Sequence, residues 1–82
     1  MNDMNDMNER FRVILSLAQG AIDSNDENLA RMSVGALAGL ILAVSNDAEH
    51  FVYQMIVDSP EMTIMEIDNA ISSLSRIFYN LS

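Results

Sequence analysis

The sequence predicts an all-α protein, a small four-helix antiparallel bundle. Three observations carry this reading. Apolar residues recur at spacings of three and four in four successive segments, helix-capping patterns precede the later three, and no second convincing strand exists for an apolar run to pair with. With 82 residues and no cysteine, the chain suits one helical domain over 1–82, residues 1–4 frayed. Its stability must come from a core, because disulfides and zinc-thiolate sites are excluded.

The first helix is expected from about Asn5 to about Ile22. A triplet repeat opens the chain (Met1-Asn2-Asp3, Met4-Asn5-Asp6, Met7-Asn8-Glu9), and a period of three does not match a helix. Even so, Met4, Met7, Phe11, Ile14 and Ala18 stand on one helical face, widened by Val13, Leu17 and Ala21. The acidic start suits the positive end of the helix dipole.

The second helix is expected from about Asp26 to Val44, after a loop beginning at Asp23. Ser24 and Glu27 have capping-box spacing, and Asp26 is a competing cap. From Val34 to Val44 the segment is apolar on every side, which predicts a helix buried all round, at the centre of the domain or in an oligomer interface. Gly35 and Gly39 lie on one face of it. Glycine costs a helix about 1 kcal/mol against alanine, so the pair predicts close approach of another backbone.

Ser45-Asn46-Asp47 should end that helix, with Asn46 and Glu49 as a capping pair for the third. Ala48, Phe51, Val52, Met55 and Ile56 have helical spacing. Phe51–Tyr53 and Met55–Val57 also suit a strand, but lack a partner. Asp58-Ser59-Pro60 terminates the segment, since proline disfavours a helical residue before it.

The fourth helix is the most clearly written. Thr63 and Glu66 form a capping box, Met62 and Ile67 a hydrophobic staple, and Ile64, Ile67, Ile71, Leu74, Phe78 and Leu81 repeat at 3, 4, 3, 4, 3. Such a seam must bury itself against the other helices or against a second copy. The methionines Met32, Met55, Met62 and Met65 suit either core gaps or an adaptable binding surface.

Composition narrows function mainly by exclusion. Four arginines, no lysine and twelve carboxylates leave a net charge of -8. Nucleic-acid affinity comes largely from Lys and Arg, and anionic membranes repel negative charge, so direct binding to either is not expected. A helix-turn-helix reading of the second and third helices fails likewise, because Asp47–Val57 carries no Arg or Lys. His50 is the only histidine and lacks metal-ligand spacing around it. The acidic loop fails as an EF-hand at Asn28, where glycine is needed, and at Val34, where glutamate is needed. There is no phosphate-binding glycine loop and no nucleophile elbow. No enzyme activity, metal or cofactor is therefore expected.

What survives is binding to another protein with a basic surface. The first expectation is an inhibitor occupying a nucleic-acid-binding surface, of the phage anti-defence, anti-CRISPR or anti-restriction type. An immunity protein or antitoxin is the second, and a homodimeric helical adaptor the third. The expected contact residues are Asp23, Asp26, Glu27, Asp47, Glu49, Asp58 and Glu61 for charge, and Phe51, Tyr53 and Tyr79 as apolar anchors. A soluble cytoplasmic protein is expected. The acidic N-terminus is unlike a signal peptide, and the eleven-residue run Val34–Val44 is short of the ~20 residues a membrane span needs.

Overall fold

The computed structural model describes residues 4–44 and 49–81, with Met4, Asn5, Glu49, His50 and Phe51 described by backbone only. The expected Asn46–Glu49 capping pair and the contact residue Asp47 fall partly or wholly outside the described residues. Four α-helices follow in order: α1 (Met4–Asp23), α2 (Glu27–Val44), α3 (Glu49–Asp58) and α4 (Ile64–Asn80), with a 3-10 turn at Ser59–Glu61 between the last two. The described residues form no strand, so Phe51–Val57 is helix.

α1 ends in a Schellman arrangement. Asn25 takes a left-handed backbone (φ 56°), the Asn25 amide donates to Ile22 O, and the Asp26 amide donates to Ala21 O. Asn tolerates this conformation better than most residues. The reversal leaves Asp26 to cap α2, where its Oδ1 accepts from the Leu29 amide (3.2 Å). Asp26 is therefore the cap and the Ser24–Glu27 box does not form: Ser24 is still within the α1 terminus, its amide bonded to Gly20 O. Glu27 instead starts α2 and pairs with Arg31 one turn on (2.6 Å).

α2 packs against α1, α3 and α4, and is the central helix of the bundle. Ala30, Ser33, Val34, Leu37, Ala38 and Ile41 form its buried face. The expectation of all-round burial within the chain is corrected. Met32, Ala36, Gly39 and Ala43 are exposed, because the neighbouring helices cover only one broad side. The close-approach reading of the glycines is corrected with it. A Cβ built at Gly35 or Gly39 meets nothing within 4 Å, so no neighbouring backbone requires either glycine.

α3 ends at Asp58, as the Asp58-Ser59-Pro60 sequence predicts, and a separate 3-10 turn follows over Ser59–Glu61. Pro60 fits the start of such a turn, and Ser59 is buried with its hydroxyl donating to Ile56 O (3.0 Å). At α4 the capping box forms: the Glu66 amide donates to Thr63 Oγ1 (3.2 Å) and the Thr63 amide to Glu66 Oε1 (3.1 Å). The seam residues Ile67, Ile71, Leu74 and Phe78 are buried in the chain's own core, with Ile64 half-buried and Leu81 exposed. Phe78 stacks on Phe11 with ring centroids 4.0 Å apart and planes within 6°, clamping the end of α4 to the first half of α1.

Candidate protein-binding site

Arg31 organises one end of the bundle. Its Nη2 donates to Glu27 Oε2 (2.6 Å) and its Nη1 reaches Asn28 Oδ1 (3.4 Å), while Nε donates across the bundle to the backbone oxygen of Met62 (3.0 Å). That last bond brings the start of α2 against the segment joining α3 to α4. Two acidic segments distant in sequence thereby come to the same end: Asp23, Asp26 and Glu27 from the α1–α2 turn, and Asp58, Glu61 and Glu66 from the α3–α4 connection.

All six are exposed, so solvent meets their charge directly. Several also have local duties. Asp26 and Glu66 cap helices, Glu27 pairs with Arg31, and Asp58 accepts from Gln54 Nε2 (3.0 Å). Asp58, Glu61 and Glu66 line an open depression of about 250 Å³ with Met62. Arg31 is the only arginine at this end. The Phe11–Phe78 stack places the other three, Arg10, Arg12 and Arg76, toward the opposite end, where Asp6 and Glu9 also lie. Among the described side chains, one end is thus acidic and the other carries mixed charge.

Five expected contact residues, Asp23, Asp26, Glu27, Asp58 and Glu61, come together here. Asp47 lies outside the described residues. Glu49 and Phe51 lie in the first turn of α3, and only their backbone is described. Tyr53 is exposed midway along α3. Tyr79 is half exposed but belongs to the other end, edge-on to Phe11 and Phe78 (5.9 and 5.7 Å between centroids). The structure therefore does not bring that anchor to the acidic group.

The apolar side chains at the acidic end are ones sequence reasoning did not select as anchors. Met65, in the first turn of α4, is 76% exposed, and Met32 is 71% exposed beside an open groove lined by Asn28, Arg31, Ser59 and Pro60. Met65 carried a usable signal. It falls opposite the α4 seam, a position where core filling is geometrically impossible. Met55 and Met62 are half-buried against the core, so these four methionines divide between core and surface.

Among the described residues, no three His, Asp or Glu side chains are arranged to hold a metal ion. The sequence matches no protein-family model, and neither a curated protein nor a solved structure is significantly similar to it.

Proposed function

We propose that this chain is a non-enzymatic inhibitor that places its acidic end on a basic, nucleic-acid-binding surface of another protein. The observation that carries the reading is the gathering of six exposed carboxylates at one end of the bundle by the Arg31–Met62 bond, with the flexible Met65 side chain exposed in the first turn of α4 at that end. Opposed charge raises association rate and selects partners, while a desolvated apolar anchor supplies affinity that charge alone does not. Methionine suits that second role because its unbranched, polarizable side chain adapts to the surface it meets.

The test uses the purified chain as bait in its native cell extract, followed by kinetics on the captured protein. Raising salt from about 0.01 to 0.15 M shortens the screening length from ~30 to ~8 Å, and association should slow by at least about tenfold. Asp58→Lys with Glu61→Lys reverses two exposed acids whose side chains cap no helix. This double variant should lose binding while keeping its helical circular dichroism. The captured protein should also release bound nucleic acid when the wild-type chain is added. Salt-independent association, retained by the double variant, refutes the proposal.

A further inference from the structure

Flanking its core face, α1 and the residue after it carry a second ordered row: Asp6, Arg10, Val13, Leu17, Gly20 and Ser24, spaced 4, 3, 4, 3, 4. This is the spacing by which one helix lies along another, yet among the described residues its apolar members stay open to solvent. Val13 is 55% and Leu17 54% exposed. Two open grooves follow the α1–α2 seam beside the row, one of about 510 Å³ reaching Leu40 and one of about 280 Å³ reaching Leu29. α2 borders these grooves with Leu29 and Leu40 and has no ionisable residue after Arg31.

We propose that this α1–α2 face seats a second copy of the chain, with the two α1 helices antiparallel about a two-fold axis level with Leu15. Charge selects both the occupant and its direction. Antiparallel alignment of the row with itself sets Val13 opposite Leu17 of the second copy, and Arg10 opposite its Gly20. Gly20 has no side chain, and a Cβ there would meet nothing within 4 Å, so the long Arg10 side chain has room to cross it. It then reaches Asp23 and the negative C-terminal end of the second copy's α1. Each acidic end thus lies beside the other copy's arginines, and the two acidic ends stay apart by about the 30 Å length of a 20-residue helix. A parallel pairing would instead place the two carboxylate groups side by side. The row is complementary to itself in one direction only, which is the requirement of a closed two-fold interface. Asp23 belongs to both surfaces, whereas Asp58, Glu61 and Glu66 lie outside this pairing, so variants at Asp58 and Glu61 test the inhibitor reading separately.

Sedimentation of the full chain over a concentration series tests the pairing. The wild type should approach twice the 9.1 kDa chain mass. Leu17→Glu should return it to a monomer with unchanged helical circular dichroism, while Met65→Glu, off the proposed face, should leave the dimer intact. Arg10→Glu and Asp23→Arg should each weaken the dimer by at least about tenfold, and the double exchange should restore it to within about threefold. A strict monomer at roughly 1 mM, where an association worth about 4 kcal/mol is half formed, overturns the proposal. A dimer indifferent to Leu17→Glu does so as well. α2 has the length and composition of a membrane-crossing helix, though a third of it is buried here. Flotation of a monomeric wild type with phosphatidylcholine vesicles would reassign the face to lipid and equally overturn the dimer.

Discussion

α2 and α4 are of nearly equal length, 18 and 17 residues, yet they use apolar side chains in opposite ways. In α4 the apolar residues other than Met65 and Tyr79 keep to one side, the polar residues keep off the seam, and the seam is consumed by the chain's own core. In α2 the run Val34–Val44 has no polar residue to mark an outer side, and the bundle covers only part of it. The contrast teaches that apolarity and burial are separate quantities. A helix written with a clear outside is buried where its pattern says. A helix written without one is buried wherever its neighbours happen to stand, and what they leave over is available to something else.

The largest expected effect sharpens the α4 side of this contrast. Phe78→Ala removes a fully buried ring and its stack on Phe11, and should cost about 3–5 kcal/mol in urea unfolding. A loss below about 1 kcal/mol would mean the seam is not core. Next comes Thr63→Ala, which breaks the reciprocal capping box at the start of α4 and should cost about 0.5–2 kcal/mol. A change confined to a few tenths would show that packing alone holds that terminus.

The smallest effect tests the α2 side and has the opposite sign. Gly39 is exposed and has open space where a Cβ would go, so Gly39→Ala should raise stability by up to about 1 kcal/mol through helix propensity. A lowered melting temperature would restore the close-approach reading and break the contrast.

The parts legible in the sequence were those governed by local geometry. Thr63 and Glu66 are three residues apart, and two hydrogen bonds across that spacing depend on nothing distant. The α4 seam was legible because the polar residues around it left one solution. At Asp23–Asn28 several capping residues competed, and the choice of Asp26 followed from the left-handed turn at Asn25, which sets where one helix stops and the next begins. Of the candidate site, the acids were legible as residue types at helix starts, but their meeting was not. It depends on Arg31 reaching Met62 thirty-one positions away.

The sequence by itself determined the helical class, the capped start of α4, its buried face and the excess of negative charge, because each follows from spacing or composition along one chain. Only the tertiary structure decided which side of α2 is covered, that Gly39 faces open space, that Met65 rather than Tyr79 accompanies the acids, and that five separated carboxylates and Glu66 share one end. Those outcomes depend on the direction in which each helix leaves its turn and on which neighbour it then meets. Local periodicity is indifferent to both, whereas close packing of four helices admits few arrangements and settles them together.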